Sequence, residues 1–229
     1  MSNNSNLQKK IYSSFHYNFL DKLINKKRIE IIEVVNNFLN GKNIIDVLDI
    51  GTTADEKNIS SNIIIKNLKG PKVFKSISDQ EITLELFSKC LNKSILEEFT
   101  DDEIKNFSSD LVISNATIEH VGSQKNQLKM ISNMIKLTKK NFIIITPNRF
   151  HPFEFHSKIP LIHWLPKNLQ RITLSLLGQN FLSLEENLNL LSQKDIDLFM
   201  KKLNHNHYTI KNIKLFLFKS NLILIGNKN

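Results

Sequence analysis

Two stretches about sixty residues apart bring reactive side chains to the ends of apolar runs. The first, Val47 to Thr53, reads VLDIGTT, and the second, Asp110 to His120, reads DLVISNATIEH. Each begins as a buried run and ends abruptly in small, acidic or imidazole residues. Asp49 can hold a hydroxyl or an ammonium group, and Gly51 lets backbone approach a ligand closely. His120 is a candidate general base that Glu119 would orient, although both side chains would serve equally well to cap and pack a turn. Asp79, at the end of a further apolar run, suits either ribose hydroxyls or the N-cap of a following helix. Farther along, the segment NRFHPFEFH from Asn148 to His156 mixes basic, acidic and aromatic side chains. Arg149 can hold an acidic acceptor group, while His151 and His156 are further candidates for a base. Glu154 and Trp164 complete the residues expected to touch an acceptor. The histidine spacing fits no zinc signature, so no metal is expected. The absence of G-x-S-x-G, Walker A and C-x-x-C patterns argues against hydrolase, nucleotide triphosphatase and thiol-redox chemistry.

The elements that must position these residues alternate. Apolar runs at 44–50, 72–77, 110–114 and 142–145 read as buried strands. Helical spacing covers 9–40, 62–68, 82–91, 123–138 and, from a Ser192/Asp195 capping box, the stretch to Leu203. Residues 92–109 carry an acidic cluster and resist assignment. Two runs, 208–217 and 218–225, have almost no linker and must pair antiparallel. This order predicts an α/β fold: a doubly wound, mostly parallel seven-stranded sheet with an antiparallel final strand pair. In such a sheet ligands bind beyond the carboxyl ends of the strands. Residues 1–40 read as an N-terminal helical extension. Residues 41–229 read as one domain carrying an insertion at 148–191, a helical lid whose stripe of Leu169, Ile172, Leu176 and Leu177 would cover the crevice or touch a membrane.

The chain has 229 residues, 41% hydrophobic and 23% charged, and a formal net charge of +9. The size suits one large domain. Lysines scattered among Asn and Ile fit a biased composition as well as a basic patch. A single cysteine, Cys90, and a polar N-terminal stretch point to a reducing cytoplasm. No uncharged apolar stretch reaches the length of a spanning helix.

These motifs resemble class I S-adenosylmethionine-dependent methyltransferases of the type-11 kind, over most of residues 40–226. Val47 to Thr53 looks like the family's first cofactor motif and Asp110 to Val121 like its fourth-strand motif. The closing strand pair is that fold's usual ending, Rossmann-like in plan. The run TPNRFHPFEFH followed by LIHWLP is similar to a bacterial subgroup associated with surface-glycan biosynthesis. The resemblance implies that S-adenosylmethionine is the cofactor. It places Asp49 and Gly51 at the methionine moiety, Asp79 at the ribose, and Asn115 with Ala116 beside the sulfonium, and counts Thr52 among the cofactor-binding residues. It also implies methyl transfer to a small-molecule or glycan acceptor, with oxygen favoured. RNA methylation, or binding without catalysis, are the alternatives.

Overall fold

The computed structural model describes residues 15–55, 61–153, 156–157 and 159–228, with side chains from residue 23 onward. Its centre is a seven-stranded sheet of order β3-β2-β1-β4-β5-β7-β6. The strands are β1 (Asp46–Ile50), β2 (Val73–Ser78), β3 (Lys89–Asn92), β4 (Ser109–Asn115), β5 (Thr138–Pro147), β6 (Tyr208–Leu215) and β7 (Phe218–Asn227). Strands β1 to β5 pair in parallel, while β7 runs antiparallel to both β5 and β6. The expected topology is therefore present, antiparallel ending included.

The central strands read as continuous apolar runs because both faces are covered. On β5, Phe142 and Ile144 face one layer, and Ile143 and Ile145 face the other. The first layer receives α4 (Gln124–Leu137) through Met130, Ile131, Met134 and Leu137, and α7 (Gln193–Lys202) through Ile196, Phe199 and Met200. The second receives α1 (Phe15–Leu39) through Ile31, Val35 and Leu39, and the short α2 (Ile63–Lys66) through Ile64 and Ile65. The helix expected as an extension thus packs within the core of the domain. The Ser192/Asp195 capping box opens α7 as expected.

The helix expected over 82–91 does not form. Residues 81–84 carry no regular structure, and 89–92 pair with β2 as the edge strand β3. Ile82, Leu84 and Phe87 are buried all the same, in irregular backbone that leads into the edge strand. Within the acidic stretch, Thr100 and Glu103 form a capping box that opens α3 (Asp101–Phe107). Its first turn holds Asp101, Asp102 and Glu103, where the helix dipole favours negative charge.

The insertion carries a single-turn helix at Ile162–Trp164, then α5 (Lys167–Leu176) and α6 (Asn180–Ser183). Its apolar stripe does not cover the crevice. Leu169, Ile172, Leu176 and Leu177 are exposed, Leu176 at 82%, while Leu174 and Gln170 form the inward face of α5. No helix among the described residues is long and apolar enough to cross a membrane.

Val35 is fully buried between α1 and the sheet. Val35→Ala is expected to cost about 2 kcal/mol, read as a lower urea midpoint at unchanged m-value. An unchanged midpoint would show that α1 contributes little to the core.

Candidate active site

The carboxyl ends of β1, β4 and β5 open into a cavity of about 480 Å³. That volume lies within the roughly 300–1,000 Å³ usual for small-molecule sites. Asp49, Gly51 and Thr53 line it from β1, Asn115 and Ala116 from β4, and Thr146 and Pro147 from β5. Lys27, Arg28 and Ile31 of α1 form one wall, with Asn62 and Ile65 beside them and Ser220 and Asn221 of β7 opposite. His156 reaches the cavity from the insertion.

Close approach of the β1 and β4 ends shapes the floor. Gly51 has φ +82°, and a Cβ there would overlap the Thr117 side chain. Its amide donates to the carbonyl of Ile77, and the Ser114 hydroxyl donates to the carbonyl of Ile50. Ala116 also holds a left-handed backbone, φ 54°. That conformation costs a non-glycine residue about 1 kcal/mol or more. The strain turns the chain away from β4 directly at the cavity.

Asp49 is buried and accepts one hydrogen bond, from Thr52 Oγ1 at 2.7 Å. Burial pushes its carboxyl up to about 6, against the opposing pull of the Thr52 hydroxyl. Thr52 itself lies beneath the cavity floor, where its hydroxyl also accepts from Ser76 Oγ at 2.8 Å. It positions Asp49 and does not line the cavity.

A second cluster adjoins the cavity through Thr146 and His156. The turn after β4, Ile118–His120, buries Glu119 completely, and Oε2 of Glu119 accepts from Thr146 Oγ1 at 3.0 Å. Burial raises the carboxyl of Glu119, with His120 and His156 pulling the other way. The exposed His120 ring sits edge-on to His156, with centroids 5.2 Å apart. The returning end of the insertion holds this turn in place. Asn189 N donates to the Glu119 carbonyl, Gln127 Nε2 donates to the carbonyls of Ile118 and Asn189, and His120 Nδ1 lies 2.6 Å from the Asn187 carbonyl.

Of the residues expected from sequence, Asp49, Gly51, Asn115, Ala116 and His156 meet at the cavity, and His120 stands behind His156. Others lie elsewhere. Asp79 is exposed beyond β2 and does not reach the cavity. His151 is buried with Nδ1 against the Phe153 carbonyl. Arg149 donates to the carbonyls of His163 and Leu165, so backbone of the insertion holds its guanidinium. Trp164 is half exposed and donates to the Phe150 carbonyl. Glu154 lies outside the described residues. Lys27, Arg28 and Asn221 line the cavity without having been expected there. No local signal marks them, since α1 and β7 reach the cavity only through the tertiary fold.

No family model matches the sequence, and no curated protein matches it. Solved structures do resemble the fold. Magnesium protoporphyrin IX methyltransferase from Synechocystis, with bound S-adenosylhomocysteine, has a TM-score of 0.58 at 14% identity, covering 100% of this chain and 95% of that one. The fold is that of the S-adenosylmethionine-dependent methyltransferases. The N-methyltransferase NodS from Bradyrhizobium japonicum, also with S-adenosylhomocysteine, gives 0.53 at 11% identity, covering 90% and 87%. The 1,6-didemethyltoxoflavin N1-methyltransferase from Burkholderia thailandensis gives 0.54 at 9% identity, covering 97% and 87%.

Because the raised carboxyl of Asp49 binds its proton more tightly in the folded state, its contribution favours folding below the ordinary value of 3.8 and is lost as pH rises through about 6. Asp49→Asn is therefore expected to stabilise the protein at pH 7.5 by on the order of 2 kcal/mol, with little gain at pH 3.5. Equal thermal midpoints for variant and parent at pH 7.5 would contradict this.

Proposed function

We propose that the protein transfers the methyl group of S-adenosylmethionine to an oxygen of a small-molecule or glycan acceptor. The observation that carries this reading is the cavity at the β1 and β4 ends, where a buried carboxylate and bare backbone meet. It lies in a fold whose solved neighbours hold S-adenosylhomocysteine. Asp49 suits the ammonium and sulfonium charges of the cofactor, and the floor formed by Gly51 suits close packing of its methionine portion. Asn115 and Ala116 would lie beside the sulfonium. The methyl donor is already activated, so most of the acceleration comes from aligning acceptor and methyl carbon. On this reading His156, which lines the cavity with His120 beside it, would activate an acceptor hydroxyl.

Two of the neighbours are named for small-molecule acceptors and another for small RNA, with 25% of that chain covered. The small-molecule class is taken first because those two neighbours are covered over most of their length. The net charge of +9 leaves RNA as the second acceptor to screen. Binding without catalysis would show as cofactor affinity with no methyl transfer to any acceptor class. The exposed stripe of α5, continued by Phe181 and Leu184, suits a peripheral contact with the membrane that would carry a lipid-linked acceptor. A cytoplasmic location, implied by the lone cysteine, agrees with that route.

Calorimetric titration with S-adenosylmethionine is expected to give micromolar affinity at pH 7.5, at least tenfold weaker in Asp49→Ala. Affinity should also fall about tenfold per pH unit below about 6, as the carboxyl takes up its proton. Absence of binding at millimolar cofactor would overturn the enzyme reading. For the membrane contact, the parent should co-sediment with anionic phospholipid vesicles and Leu176→Asp/Phe181→Asp should not. Equal sedimentation of the two would remove that part of the proposal.

A further inference from the structure

Glu119, His120 and His156 converge more tightly than activation by one imidazole requires. One ligand atom from each, an imidazole nitrogen from either histidine and a carboxylate oxygen from Glu119, lie within 4.8 Å of one another. The Glu119 carboxylate is fully buried, and only Oε2 is satisfied, by the Thr146 hydroxyl. Its Oε1 has no hydrogen-bond partner among the described residues. A buried carboxylate oxygen left so is costly unless something positive completes it. The Asn187 carbonyl can only accept, so Nδ1 of His120 carries the proton and donates at 2.6 Å. The lone pair of His120 is thereby left on Nε2. A histidine whose other ring nitrogen is held by a backbone carbonyl is the usual arrangement for a metal ligand.

We propose that Glu119, His120 and His156 form a site for a divalent transition-metal ion beside the cavity. Two imidazole nitrogens and one carboxylate oxygen suit Zn²⁺, or Mn²⁺, Fe²⁺ and Co²⁺, better than Mg²⁺ or Ca²⁺, which prefer oxygen throughout. Bonds near 2.1 Å in a tetrahedron place ligand atoms about 3.4 Å apart. The three ligand atoms stand within 4.8 Å of one another, so binding an ion would draw them closer; His120 is exposed and His156 half-buried, while the Asn187 carbonyl keeps the His120 ring oriented. Three protein ligands leave a position open, and His156 borders the cavity, so the open position faces an incoming acceptor.

The role of the ion rests on the methyl-transfer reading above. An acceptor hydroxyl bound to the ion gives its proton to water more readily. The resulting oxygen attacks the methyl carbon and forms the C–O bond. The C–S bond breaks with its electron pair passing to sulfur, so the sulfonium leaves as a neutral thioether. The histidines that looked like bases act in this scheme as ligands.

The test is titration of tag-free, chelator-treated full-length protein with Co²⁺, followed by visible absorption, and with Zn²⁺, followed by calorimetry. One ion per chain should bind at micromolar or lower concentration. Binding should weaken at least tenfold in His156→Ala, His120→Ala and Glu119→Gln, and remain unchanged in His207→Ala, which alters an exposed histidine on another face. His156→Ala is the decisive variant because its half-buried side chain lies in the insertion, outside the core. No binding at millimolar ion, or equal binding by His156→Ala and parent, overturns the site. Cofactor titration of the same samples separates the two proposals. Cofactor binding without metal binding removes the metal site alone. Metal binding without cofactor binding removes the methyl-transfer reading and leaves the site standing.

Discussion

Everything at the cavity depends on how closely the ends of β1 and β4 approach. Gly51 sits where a Cβ would collide with Thr117, and the Ile50 carbonyl receives hydroxyls from Ser114 and Thr117. This contact lets the two strands end side by side without a side chain between them. Asp49 is thereby carried to the floor of the cavity while its carboxylate is stripped of water. The strained turn at Ala116 and the buried Glu119 follow within four residues. The strain and the desolvation are concentrated at one place, and a sheet covered on both faces offsets them.

A second layer of organisation comes from buried amides. Gln127 and Asn189 join the turn after β4 to the returning end of the insertion, and Lys167 donates to Asn189 Oδ1 at 2.6 Å. Asn189 also donates to the Gly122 carbonyl. These groups satisfy backbone that would otherwise be orphaned in the interior. They make the position of His120 a property of the whole junction.

Much of this was legible in the sequence where local pattern and tertiary role coincide. The abrupt ends at Asp49 and Asn115, the Ser192/Asp195 cap and the final strand pair all announce themselves within a few residues. The edge strand β3 does not. It is four residues long with Cys90 exposed, and the apolar residues before it, Ile82, Leu84 and Phe87, are buried without regular structure of their own. The Thr100/Glu103 box that opens α3 was present as a T-x-x-E signature, obscured by the surrounding acidic residues. Arg149 and Trp164 looked like binding residues because charge and aromaticity suggest ligands. Their hydrogen bonds go to the backbone of the insertion. A helical stripe shows that an apolar face exists, and the stripe on α5 turned out to face solvent.

The insertion leaves and rejoins the sheet at nearly the same point. Asn148 pairs with Leu191 as an isolated bridge, and the amide of Arg149 donates to the Leu191 carbonyl. A loop whose ends are pinned together is nearly indifferent to its own length, since doubling it adds only about 0.6 kcal/mol of closure entropy. The segment between those pins therefore behaves as an exchangeable cassette. Its outer helices can be lengthened, shortened or replaced while the strand ends beneath stay as they are, so a lineage can change what it presents to the cavity without rebuilding the sheet.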